Sequence, residues 1–167
     1  LRAQGTPLAG MGLEELFLAG EFAYETGGDR VDVDAQGWYA EAGYTLDQLP
    51  WQPTLSYRYA FFSGDDPNSS DYEAFDPLFY GFGRGWGTHY MGEIVGEYYL
   101  FNSNQKVHML HLHVTPGDKL SAGVLGYDFT LDEETAGGND HYAQEVNVYA
   151  DYSVNQRLSL SAVLAWA

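Results

Sequence analysis

Apolar side chains recur at every second position through most of this chain, in runs longer than ordinary soluble strands. In the first long run Leu16, Leu18, Phe22 and Tyr24 alternate with Glu15, Ala19, Glu21, Ala23 and Glu25. Trp38, Ala40, Ala42, Tyr44 and Leu46 then alternate with Gly37, Tyr39, Glu41, Gly43 and Thr45, and Leu55, Tyr57, Tyr59 and Phe61 with Ser56, Arg58 and Ala60. A period of two is the signature of a strand whose two faces meet different surroundings. Later runs repeat it: Leu125, Tyr127, Phe129 and Leu131 against Gly126, Asp128 and Thr130; Tyr142, Val146, Val148 and Ala150 against Glu145, Asn147, Tyr149 and Asp151; Leu158, Leu160, Ala162, Leu164 and Trp166 against Ser159, Ser161 and Ala165. In "KVHMLHLHV" we place Leu110, Leu112 and Val114 on the apolar face and Met109, His111 and His113 on the other. No sustained helical period competes. The chain therefore reads as all-β and antiparallel, with strands of about nine to twelve residues, against about five or six in soluble sandwiches and about nine to eleven for a tilted membrane-spanning strand.

The connections point the same way. "DQLPWQP", "TPGD" and "SVNQ" are compact turns, while "TGGDRVD" and "DEETAGGND" are longer, acidic and glycine-rich. Membrane barrels alternate short turns on one rim with long loops on the other. If the three compact turns share a rim, parity makes residues 63–104 one long excursion from the opposite rim. The alternative is that Met91 to Phe101 spans as a strand and one turn is assigned to the wrong side.

With 7 Lys and Arg against 24 Asp and Glu, the formal net charge of −17 excludes nucleic acid as a partner, because phosphates would be repelled. The absence of cysteine removes disulfides and thiolate metal sites. No run reaches the roughly 18 apolar residues of a membrane helix, but a barrel escapes that scan. An aromatic share of 16% and 20 glycines suit a barrel. With 167 residues a single domain is expected, 1–167, with its long loop at about 63–104. The first residue is Leu1 and "LSAVLAWA" ends in mid-strand, so an incomplete piece of a larger, many-stranded barrel is expected.

The segments "GWYAEAGYTLDQLPWQPTLSYRYAFFSGDDP", "EAFDPLFYG", "GEIVGEYYLFNSN" and "LSAGVLGYDFTLDEE" resemble the outer-membrane exporters of the alginate export family over most of the chain. The resemblance implies a transmembrane β-barrel in the outer membrane of a Gram-negative bacterium, with about twice the strands seen here, passing an anionic exopolysaccharide or related hydrophilic solute outward. It implies no cofactor, and as partners the outer-membrane lipid, the solute and periplasmic secretion components. A polyuronate conduit is expected to present Arg and Lys to its solute. Here the expected lumenal set, Glu15, Glu21, Glu25, Glu41, Asp128, Glu145 and Asp151, departs from that pattern, with Arg58, His111 and His113 opposing it. A set of this kind fixes the field of the pore, although single lumenal charges in wide barrels more often pair internally.

Residues 63–90 carry five carboxylates, seven aromatic residues and one arginine. Asp65, Asp66, Asp71 and Glu73, with Asp76 and Asn68, are candidate oxygen ligands for a structural Ca²⁺, although the spacing matches no EF-hand and a solvated acidic loop explains the same residues. Phe75, Phe79, Tyr80, Phe82 and Trp86 are candidates for a constriction that stacks on sugar faces; a small hydrophobic core within the loop explains them equally. Arg84, in "GFGRGWG", meets either the solute or a loop carboxylate. His111 and His113 share a strand face, but two ligands do not make a metal site. Neighbouring carboxylates at Glu14 and Glu15, or at Glu133 and Glu134, point to opposite faces of a strand, and no nucleophile, zinc-protease or phosphate-cradling motif occurs, so no enzymatic activity is expected. Two alternatives to the export conduit are a general porin for small solutes and a soluble carbohydrate-binding β protein.

Overall fold

The computed structural model describes residues 1–77, 91–134, 138 and 140–167. They form an eight-stranded antiparallel sheet in which each strand pairs with the next in sequence: β1 (Arg2–Gly5), β2 (Leu16–Gly27), β3 (Val33–Thr45), β4 (Thr54–Phe62), β5 (Gln105–Gly117), β6 (Leu120–Thr130), β7 (His141–Asn155) and β8 (Leu158–Trp166). From β2 onward the strands run 9 to 15 residues, and β3, β5 and β7 are longer than the nine to twelve read from the alternation. The sheet is open: β1 pairs only with β2, and β8 only with β7. The strand ends that lead into 6–15, 46–53, 118–119 and 156–157 share one end of the sheet, and those that lead into 28–32, 63–104 and 131–140 share the other.

β4 pairs with β5 from Thr54↔His113 to Phe62↔Gln105, so residues 63–104 join two neighbouring strands. Met91 to Phe101 is not a strand. Val95–Leu100 forms a short π-helical turn within the connection. The first part of the connection hydrogen-bonds along the start of β3, with Asp34 N–H donating to Tyr72 O at 3.0 Å and Tyr72 N–H to Asp32 O at 2.7 Å.

The core lies on one face of the sheet, here the inner face, and the long connection covers it. In β3 the alternation is complete, with Ala35, Gly37, Tyr39, Glu41 and Gly43 buried and the residues between them more open. Ala60, Phe62, Val107, Met109, Leu125, Tyr127, Phe129 and Tyr149 continue this face, and Phe75, Met91 and Val95 of the connection pack onto it. The outer face is apolar and uncovered, with Leu18, Phe22, Leu55, Tyr57, Leu110, Leu112, Val124, Val146, Val148 and Leu160 all exposed.

β6 overturns one expectation. Leu125, Tyr127 and Phe129 face inward, in register with Asn147, Glu145 and Ala143, so Asp128 faces outward. The cause is the connection: Met91 and Val95 give these side chains an apolar cover on the inner side, while Ala122 and Val124 make the outer side apolar too. With both faces apolar, hydrophobic contrast does not fix which way β6 points. In β5, by contrast, Met109 and His111 face inward as expected.

On the inner face three glycines each sit opposite an aromatic ring in register: Gly37 opposite Phe62, Gly43 opposite Phe17 and Gly123 opposite Tyr149. A Cβ on Gly123 would stand 2.5 Å from Tyr149 Cε1 and 2.7 Å from the Leu112 carbonyl oxygen, and the backbone of the adjoining strand cannot give way. Gly126, on the outer face of the same strand, has nothing within 4 Å of such an atom. Gly123→Ala is therefore expected to cost about 1–3 kcal/mol through overpacking, and Gly126→Ala to stay within about 0.5 kcal/mol of the parent. Equilibrium unfolding midpoints in denaturant check this, and equal shifts for the two would refute the assignment of faces.

Candidate functional site

One rung of the inner face collects the charges. Glu41, Arg58, Met109, Tyr127 and Glu145 are successive register partners across β3 to β7. Inward parity on adjacent strands brings Glu41 and Arg58 together. Arg58 Nε and Nη2 both donate to Glu41 Oε2, at 3.0 and 2.5 Å, and Ser56 Oγ donates to Glu41 Oε1 at 3.0 Å. The guanidinium carbon also lies 4.7 Å from the centre of the Tyr39 ring. With side chains 1% and 5% exposed, the two charges have left water and depend on each other. A cleft of about 330 Å³ adjoins the pair, lined also by Arg2, Gln4, Phe17 and Tyr39.

At the other end of the rung Glu145 is 1% exposed and holds the connection. Its Oε1 accepts from Glu93 N at 2.6 Å and Ile94 N at 3.1 Å, and its Oε2 accepts from Val95 N at 2.7 Å and Ile94 N at 3.2 Å. A carboxylate taking three backbone N–H groups is a charge-assisted arrangement. The chain wraps it tightly because Gly92 has φ +90°, where a Cβ would be strained and would meet Phe129 and Glu145 itself. Further along β7, Tyr149 Oη lies 2.9 Å from His111 Nε2 and 2.7 Å from His113 Nδ1. Between the two, Asn147 is buried with no hydrogen bond to its side-chain amide among the described residues.

The other predicted residues fall out as follows. Glu21 faces inward, 4.0 Å from Arg2. Asp151 accepts from Ser161 Oγ, and Glu25 accepts from the backbone N–H of Asp76 at 3.0 Å. Asp128 does not join them: on the outer face it accepts from Gln144 Nε2 at 2.9 Å and lies 3.2 Å from His141 Nε2. Phe79, Tyr80, Arg84 and Trp86, with Phe82, lie outside the described residues. Asp65, Asp66, Asp71 and Glu73 do not converge on a metal position, and among the described residues no three His, Asp or Glu side chains do. Asp65 instead accepts from Glu73 N at 3.0 Å, Asp66 from Asn68 N at 2.8 Å, and Asp71 from Ser70 Oγ at 3.2 Å, which shapes the loop from within. Sequence reasoning missed the backbone cradle around Glu145, although the two glycines of "GEIVG" mark a chain that bends closely there.

The described residues thus form an all-β antiparallel meander with an uncovered apolar outer face and an inner face that carries both the core and the paired charges. The chain belongs to the alginate export family, whose model matches residues 1–138. Neither the curated proteins nor the solved structures give a match.

Two predictions follow from the buried charges. Arg58→Met leaves Glu41 buried without its cation and is expected to cost about 3–5 kcal/mol, whereas Glu41→Met with Arg58→Met removes both charges and costs less than either of these substitutions alone; unfolding midpoints of the parent, the two single variants and the double variant form the test. Glu97, in the π-helical turn, has its carboxyl held above the usual carboxylate range, first by partial burial and then by the charge of Glu145. The folded state thus binds this proton more tightly than the unfolded chain. Docking of the turn is strongest below the ordinary glutamate range and weakens as pH rises through the raised value. Glu97→Gln should flatten that dependence, read as amide exchange at Val95 to Leu100 corrected for intrinsic rate.

Proposed function

We propose that this chain is part of the wall of an outer-membrane β-barrel through which an anionic exopolysaccharide, alginate-like, passes passively out of a Gram-negative cell. The observation that carries this reading is the exposed apolar outer face, set back to back with an inner face on which Glu41 pairs with Arg58 and Glu145 is enclosed, in a member of the alginate export family. A sheet whose outer side is lined by Leu18, Tyr57, Leu110, Val146 and Leu160 is suited to lipid and ill suited to water. The same observation disfavours the soluble carbohydrate-binding alternative. Open edges at β1 and β8 need partners in a membrane, which further strands would supply to close the barrel.

Transport of this kind has no chemical step; selectivity comes from width and charge along the inner face. The inner carboxylates are less available to a solute than the sequence suggests, since Glu41 is neutralised by Arg58 and Glu145 is enclosed by backbone N–H groups. An anionic chain then meets a weaker repulsive field than the charge count implies. The connection, folded onto the inner face through Met91 and Val95, narrows the passage.

Spin labels at Leu18, Tyr57 and Leu160 in the lipid-reconstituted protein should be quenched by lipid-soluble oxygen, and water exposure at all three would rule out the barrel. Reversal potentials across a planar bilayer then identify the solute class. Anion preference supports polyuronate export, and cation preference supports a general porin.

A further inference from the structure

The segment 91–100 packs against the inner face of the sheet. Met91 and Val95 are its buried apolar anchors, while Tyr98, Tyr99 and Phe101 are exposed. Its backbone is held by Glu145, to which Glu93, Ile94 and Val95 donate, and beside it by the Tyr127 hydroxyl at Gly92. Glu97 lies close enough to feel the Glu145 charge, which opposes the docking. Met91, Val95 and the Glu145 cradle, with Leu100 packed beside them, therefore hold a segment that also carries a carboxylate of the same charge as Glu145.

We propose that Glu145 is a latch: its carboxylate holds residues 91–100 against the inner wall, and docking or release of that segment sets the free width of the conduit. The inference rests on the conduit reading above and adds its regulation. Both halves of the latch are special in local structure. On the wall, a carboxylate supplies two acceptor atoms to three donors. On the segment, Gly92 at φ +90° lets the chain turn beneath those donors, with no room for a side chain between Phe129 and Glu145. A static packing role would need neither a charged acceptor nor a segment carrying its own repulsive carboxylate.

The test compares the complete natural chain carrying this sequence with Glu145→Gln and Gly92→Ala in planar bilayers. The glutamine keeps the shape but turns a donor toward donors. The alanine breaks the latch from the segment side, placing a Cβ 2.8 Å from Glu145 Oε2. Each is expected to raise single-channel conductance about twofold, with flicker between two levels, as the released segment leaves the passage. The double variant should exceed neither single change, because both break one contact. Amide exchange at Glu93 to Val95 should quicken in all three while the β5–β7 amides stay protected. Unchanged conductance with quickened exchange would overturn the latch and leave the conduit standing. A parent protein that conducts nothing would overturn both. If Glu145→Gln loses protection in the sheet, Gly92→Ala, which leaves the wall intact, decides the matter by the same readings.

Discussion

Antiparallel hydrogen bonding between consecutive strands, with register shifts only near the ends of the β5–β6, β6–β7 and β7–β8 pairings, is the constraint from which the rest of this structure follows. Once β2 pairs with β3 from Leu16↔Tyr44 to Gly27↔Val33, and so on through Val148↔Leu164, every side chain is assigned to one of two faces. A slip of one residue would move Arg58 and Glu145 to the apolar side and Tyr57 and Val146 to the charged side. The buried ion pair, the carboxylate grip on the connection and the aromatic rings over glycines all lie on the inner face because register puts them there. None of them is a local motif.

Charge on that face is organised in pairs. A chain with a formal net charge of −17 could present a strongly repulsive surface, yet its most buried carboxylates have dedicated partners. Glu41 takes Arg58 and Ser56, and Glu145 takes a run of backbone N–H groups. Buried carboxylates of this kind act as tie points between elements that hydrophobic contact would hold only loosely. Glu41 and Arg58 join two strands across their shared face. Glu145 joins a strand to the backbone of residues 93–95 in the connection.

Much of this was legible in the sequence, and the exceptions have physical causes. Alternation gave the long strands, because a period of two leaves a trace wherever the two faces differ, as in β3 and β4. The spacing of compact and long connections placed residues 63–104 between two neighbouring strands, since parity requires an excursion to return to the rim it left. β6 was misread because its inner rings are covered by a distant part of the chain, and one strand's own residues carry no record of that cover. Asp128 was misassigned for the same reason. The role of Glu145 was hidden because its partners are backbone N–H groups, which every residue except proline has. In the acidic loop Asp65, Asp66 and Asp71 accept from the loop's own N–H and hydroxyl groups, a pairing that residue spacing alone does not specify.

The meander also governs the order in which the sheet can form. Most neighbouring strands are joined by connections of ten residues or fewer, so their pairing is local and the loop-closure entropy is small. The junction of β4 with β5 is different, because the whole of 63–104 must be enclosed before Phe62 finds Gln105. The sheet therefore divides kinetically into two blocks, β1–β4 and β5–β8, each able to zip quickly by itself. The seam between them closes late, and Arg58 then comes to lie opposite Met109. The long connection is thus also the longest loop that formation of the sheet has to close.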